Sequence, residues 1–212
     1  MPISLDATSH ILFIGDSITD RGRLSLLRPL GDGYVAMIAS KMRKNDLKCR
    51  ISNRGVSGDR TIDLAARWKE DCIDLKPTLV SLLIGINDTW RRYDQGLETS
   101  IDQFEEHLRD ILNRTVTGLG AELVIAEPFL LPLSEEQKLW SIDLNPKRRL
   151  LRGLAEEYGA VFIPLQEKFT NEAAVAGAVT LVTDGVHPTR KGHGLIAEAW
   201  LERVLREECV YS

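Results

Sequence analysis

Asp184-Gly185-Val186-His187 sets a carboxylate and an imidazole three residues apart across a turn that glycine permits. At that spacing the carboxylate reaches the Nδ1–H of the histidine, fixes its tautomer and leaves Nε2 free to take a proton from a hydroxyl. Pro188 suits the first turn of the helical pattern that follows through Ile196, Trp200 and Val204. A hydroxyl to match lies in Gly15-Asp16-Ser17-Ile18-Thr19, at the end of an apolar run. Gly15 lets the chain turn sharply, and a helix starting there points its N–H groups toward Ser17, which makes Ser17 a candidate nucleophile. Taken alone, the same string also reads as an N-capped helix entry. Two more glycine turns follow apolar runs, Arg54-Gly55-Val56-Ser57-Gly58-Asp59 and Gly85-Ile86-Asn87-Asp88, and each is compatible with an ordinary β–α turn. If the fold gathers them at one edge, the N–H groups of Ser17 and Gly55 and the side-chain amide of Asn87 form a three-donor oxyanion hole. The chemistry of such a set is acyl transfer.

Few other residues compete for the role of base, since the chain has four histidines, His10, His107, His187 and His193. His107 falls within an amphipathic helical pattern and His10 precedes the first apolar run. His193 is the rival, but no acidic residue stands three positions before it.

Such a set needs a scaffold that brings distant turns together. Apolar runs rich in β-branched residues recur at Ile11–Ile14, Cys49–Ser52, Leu79–Ile84, Leu123–Ala126 and Val161–Pro164. Most are separated by segments of helical period, such as Ile101, Phe104, Leu108, Ile111 and Leu112, whose offsets of three and four share one face. Runs that are apolar at consecutive positions are expected of parallel strands covered on both faces. The order predicts an α/β protein, a three-layer α/β/α sandwich around a five-stranded parallel sheet. Without a linker or an internal repeat, residues 1–212 are expected to form a single domain. The stretch from Pro128 to Asn145, with prolines at Pro128, Pro132 and Pro146 around it, reads as a long loop, either a lid over the site or a plain insertion.

Composition excludes several classes. In 212 residues, 27 Lys and Arg stand against 31 Asp and Glu, a net charge of -4 that offers nothing to a phosphate backbone, so no nucleic-acid partner is expected. The basic stretches Lys41–Lys48 and Lys147–Arg152 read as solvated helix faces. No apolar stretch approaches the ~20 residues of a membrane span, and Met1–His10 lacks a secretion signal's positive start and apolar core. A cytoplasmic protein without membrane contact is the expectation. Cys49, Cys72 and Cys209, odd in number and without a C-x-x-C pair, read as buried or incidental thiols of a reducing compartment. The phosphate-binding patterns G-x-x-x-x-G-K-[ST] and G-x-G-x-x-G are both absent. The chemistry proposed for Ser17 requires no metal or cofactor.

Gly15-Asp16-Ser17, Gly55, Gly85-x-Asn87-Asp88 and Asp184-x-x-His187, in that order, resemble the four blocks of the SGNH (GDSL) hydrolases. That resemblance implies a flavodoxin-like sandwich with Ser17 as nucleophile, Ser17, Gly55 and Asn87 as oxyanion donors, and Asp184 and His187 completing a triad. The absence of G-x-S-x-G argues against the α/β-hydrolase fold that shares this residue order. Longer strings, Gly15 to Arg23, Gly33-Tyr34-Val35, Ala66-Arg67-Trp68 and Ile84 to Asp94, are similar to those of bacterial acetylxylan and acetyl-xylooligosaccharide esterases within that family. They imply a cytoplasmic homo-oligomer that deacetylates small sugar fragments. Asp16, Trp90, Arg91 and Tyr93 are candidate substrate contacts, and Trp90 through Tyr93, directly after the Asn87 turn, read either as an aromatic and charged platform for a sugar ring or as a helix start that packs Trp90 against the neighbouring lid or a second subunit. One position departs from the pattern: Thr183 stands where an aromatic residue is expected. Two alternatives remain. One is an enzyme acting on lysophospholipids or long-chain thioesters, its acyl channel lined by Leu130, Leu131 and Leu133. The other is a non-catalytic binding protein on the same fold.

Overall fold

The computed structural model describes residues 3–25 and 27–205. Strand β1 (His10–Gly15) is buried at every position. Its alternate side chains enter two separate cores. Ile11 and Phe13 pack with one set of helices, while Leu12 and Ile14 pack with another, which is the pattern of a strand covered on both faces. The chain continues through a short α1 (Ser17–Asp20), α2 (Tyr34–Lys44), β2 (Arg50–Gly55), α3 (Thr61–Asp71), β3 (Leu79–Leu83) and α4 (Ile86–Gln95). It then forms α5 (Ile101–Leu119), β4 (Glu122–Ala126), α6 (Glu135–Glu157), β5 (Val161–Ile163), α7 (Leu165–Ala176) and α8 (Arg190–Val204). Among the described residues the five strands form one sheet of order β2-β1-β3-β4-β5, with every pair parallel.

Helices α2, α7 and α8 cover one face through Tyr34, Ile38, Phe169, Ile196 and Trp200. Helices α3 and α5 cover the other through Leu64, Trp68, Phe104, Leu108 and Ile111. Two buried indoles, one in each layer, find partners. Trp200 Nε1 donates to Ser81 Oγ at 3.0 Å and Trp68 Nε1 to Thr115 Oγ1 at 3.2 Å. Strand order reverses between β1 and β3, and in an open parallel sheet the carboxyl ends at such a point border the ligand crevice. Gly15 sits there with φ +157°, and a Cβ at this position would lie 2.0 Å from Leu83 O. Only glycine allows β1 and β3 to approach so closely as the chain turns toward Ser17.

Three sequence expectations change. The second strand is Arg50–Gly55, not Cys49–Ser52; its polar end is hidden because Asn53 is buried and satisfied by Thr19 O at 2.7 Å and Leu30 O at 3.0 Å. Pro128–Asn145 is not one long loop. Ser134 caps a helix that begins at Glu135 and carries Pro146 in its interior, so the irregular part ends at residue 134. His10 is the first residue of β1, with Nε2 2.9 Å from Ser52 Oγ. Cys72 is buried and Cys49 half-buried, while Cys209 lies outside the described residues. Among the described residues no helix is long and apolar enough to cross a membrane.

Candidate active site

Asp16 ends the turn after β1 and caps α1, its Oδ1 accepting from Ile18 N–H at 3.0 Å. That cap sets Ser17 at the first position of the helical turn. Ser17 Oγ lies 2.9 Å from His187 Nε2, although 170 residues of chain separate them. His187 Nδ1 lies 2.6 Å from Asp184 Oδ2, so the ring donates to the carboxylate on one side and faces the serine on the other. Asp184 Oδ1 accepts the N–H groups of Val186 at 3.0 Å and His187 at 2.7 Å. Partial burial pushes the Asp184 carboxyl up, but these hydrogen bonds outweigh it and hold the group below the ordinary aspartate value.

The 184–187 turn is held from several sides. Gln137 Nε2 donates to Asp184 O at 2.6 Å, Leu131 N–H to Gly185 O at 2.9 Å and Thr183 N–H to His187 O at 2.9 Å. Thr183, the position where an aromatic residue was expected, is exposed and helps close this loop. Serine, imidazole and carboxylate in this line can pass a proton from Oγ to Nε2 while the carboxylate stabilises the imidazolium, as acyl transfer requires.

The oxyanion donors need one correction. Gly55 N–H is already donated to Asn53 Oδ1 at 2.9 Å. A Cβ on Gly55 would lie 2.1 Å from Asp20 N, so this glycine serves close packing of β2 on α1 and is not a free donor. Three residues on, Gly58 is exposed at φ +92° and its N–H has no acceptor among the described residues. Asn87 is buried in the first turn of α4. One N–H of its buried amide donates to Asp59 O at 3.0 Å, and its Oδ1 accepts from Arg91 at 3.4 Å, which leaves the second N–H available.

Asp16 is also corrected as a substrate contact. It is 1% exposed and engaged in capping, so no ligand can touch it directly. Burial, reinforced by the carboxylates of Asp59 and Asp88, pushes its pKa up to about 7 despite the Ile18 N–H bond. Trp90 is partly buried, its ring centroid 5.6 Å from that of His187 and 5.5 Å from that of Trp140. Arg91 lies over the Trp90 ring at 5.3 Å and pairs with Asp94. Tyr93 stacks on Trp140 at 5.4 Å and donates to Leu139 O. Trp90 and Arg91 therefore border the catalytic set, while Tyr93 braces α4 against α6.

His193 is brought nearby but is not bonded to Ser17. Its Nδ1 accepts Tyr34 N–H at 3.3 Å and it is 1% exposed. Burial, helped by Arg21, lowers its pKa to about 4. It lines, with Ser17, Arg21, Gly22, Ser57 and His187, a cleft of about 220 Å³. Leu130 and Leu131 are buried in the core and Leu133 is 40% exposed, so they do not form a channel at this cleft. Among the described residues no group of three or more His, Cys, Asp or Glu side chains is arranged to hold a metal ion. Sequence reasoning missed Asn53 and Gln137, whose amides serve backbone groups of distant turns and leave no local spacing signal.

A doubly wound sandwich with serine, histidine and aspartate in line at its strand-order switch point has the architecture of an acyl hydrolase that does without a nucleophile elbow. Residues 13–195 match the GDSL-like lipase/acylhydrolase family, and the chain belongs to it. It is 35% identical to an acetylxylan esterase of Geobacillus stearothermophilus across 95% of this chain and 96% of that protein. A crystal structure of an acetylxylan esterase from the same organism superposes with a TM-score of 0.88 at 33% identity, covering 97% of this chain and 98% of the other. An α/β hydrolase from the metagenome of Lake Arreo, Spain, superposes with a TM-score of 0.87 at 30% identity, covering 98% and 99%. The protein is thus a carboxylic ester hydrolase of the GDSL type.

Proposed function

We propose that this protein is a serine esterase that removes acetyl groups from carbohydrates of the acetylated xylooligosaccharide kind. The observation that carries the reading is the unbroken line from Ser17 Oγ through His187 to Asp184, at 2.9 and 2.6 Å. Ser17 Oγ attacks the ester carbonyl as His187 Nε2 takes its proton. The oxyanion is received by the Ser17 N–H, the free N–H of Asn87 and the Gly58 N–H. Gly58 is favoured for this part because its neighbours tie it to the site: Ser57 lines the cleft and Asp59 O holds the Asn87 amide. His187 returns its proton to the departing sugar oxygen, leaving acetyl-Ser17. Water, deprotonated by His187, then releases acetate and restores the serine.

Several observations favour a short acyl group on a sugar. The cleft beside Ser17 is small and lined by Arg21, Ser57 and the histidines as well as by Ile18 and Pro188, and the leucines that a long acyl chain would need are in the core or outside this lining. Trp90 and Arg91 offer a ring face and donors beside His187. The curated relative is named as an acetylxylan esterase. The test is acetate release from acetylated xylooligosaccharides by wild type and Ser17→Ala, with a lysophospholipid and a medium-chain ester alongside. Release that disappears in the variant supports the reading. Ser17-dependent cleavage confined to the longer acyl substrates overturns the sugar-ester assignment.

A further inference from the structure

The oxyanion donors come from three segments, and strand pairing does not hold all of them together. β2 and β3 are not neighbours in the sheet, so the turn after β2 and the start of α4 need another tie. Arg67, in the second turn of α3, supplies contacts that reach two of these segments directly and the third through Asp59. Its Nη2 donates to Gly15 O at 3.0 Å, on the strand end that leads into Ser17. Its Nη1 donates to Arg54 O at 2.8 Å, on the strand end that leads into the Gly58 turn. Its Nε donates to Asp59 Oδ2 at 2.7 Å, and Asp59 O is the carbonyl on which the Asn87 amide rests. Nη1 is also 2.9 Å from Asp71 Oδ2, which anchors the head to its own helix.

The guanidinium is thus mounted on a fixed support. Thr61 at the start of α3 gives both its N–H, at 3.0 Å, and its hydroxyl, at 2.6 Å, to the buried carboxylate of Asp88. Trp68, next to Arg67, is fully buried. The arginine side chain is 17% exposed and that of Asp59 11%, so water competes little for these bonds. Gly15 O additionally accepts Val56 N–H at 2.9 Å, which joins the two strand ends at the same oxygen that Arg67 holds.

We propose that Arg67 is a positioning residue for catalysis, whose planar guanidinium holds the Ser17, Gly58 and Asn87 donors in register with one another from behind the cleft. The inference rests on the esterase reading above. The planar fork is needed because the acceptors stand around it in several directions, and a lysine ammonium cannot reach them together. Because the donors act only on the developing oxyanion, loosening them acts on turnover more than on substrate binding. A displacement of about 1 Å in such a constellation costs on the order of 10²-fold in rate.

The experiment measures kcat and KM on an aryl acetate and on acetylated xylooligosaccharides for wild type, Arg67→Lys and Arg67→Ala, with thermal melts to show each is folded at the assay temperature. Expected is a fall in kcat of about 10²-fold in both variants with KM within about threefold. Added guanidinium ion should raise the kcat of Arg67→Ala by about tenfold or more and leave wild type and Arg67→Lys unchanged against a matched sodium chloride control. Retained kcat in Arg67→Lys, a loss confined to KM, absence of guanidinium rescue in a folded Arg67→Ala, or a loss that follows the unfolded fraction overturns the proposal. If Arg67→Ala does not fold, Arg67→Lys decides through the same kcat-against-KM split. A wild type without Ser17-dependent esterase activity is a different outcome and overturns the proposed function together with this inference.

Discussion

His187 and His193 both line the cleft, and their hydrogen bonds set them apart. His187 has a carboxylate on Nδ1 and the serine on Nε2, whereas His193 spends Nδ1 on the Tyr34 N–H and is too buried to hold a proton near neutrality. Asp184→Asn should leave the turn in place but spoil the tautomer, lowering kcat by about 10⁴-fold in steady-state kinetics. Asn87→Ala should lower kcat by about 10²–10³-fold with KM little changed, and a change in KM alone would remove Asn87 from the oxyanion role. That Ser17, His187 and Asp184 come together was legible in the sequence, because each lies in a short string whose spacing limits its geometry. Gly55 was misread for a physical reason. Two glycines share the turn, and which of them keeps a free N–H is decided by how Asn53 folds back.

The elements were legible where burial follows a simple period. β1, β3 and the apolar face of α5 announced themselves, while β2 hid its end behind Asn53 and Arg54 and α6 hid its length behind Pro146. A proline inside a helix removes one N–H and normally signals a break, so tertiary packing here overrides a sound local rule. Gln137, in the first turns of that helix, reaches the backbone of Asp184, so α6 is a support of the catalytic turn. The closest backbone approach in the site scaffold lies at the β1 turn. Gly15→Ala places a methyl 2.0 Å from Leu83 O at a φ few side chains adopt, and should cost about 4 kcal/mol or more, read from urea unfolding or from failure to recover folded protein.

Stability against pH is a property of the entire fold, and two buried groups pull it in opposite directions. The folded state raises Asp16 to about 7, so its contribution is full below about pH 4 and is lost as pH rises through 7. The folded state lowers His193 to about 4, so its contribution is full above about pH 6.5 and is lost as pH falls through 4. Between those limits the two slopes offset each other. Thermal melts of Asp16→Asn should therefore rise with pH across this window, relative to wild type, and those of His193→Gln should fall. The sheet order explains why so much of the architecture followed from strand and helix periods, since short parallel β–α units leave few topologies open. The order of the chain itself sets Ser17 and His187 far apart in time. Ser17 precedes His187 by 170 residues, which at about 5–20 residues per second is roughly 10–30 s of synthesis. On the proposed mechanism, the nascent chain carries Ser17 through that interval without the base that would activate it, so esterase activity waits until the 184–187 turn has been made and packed beside α1.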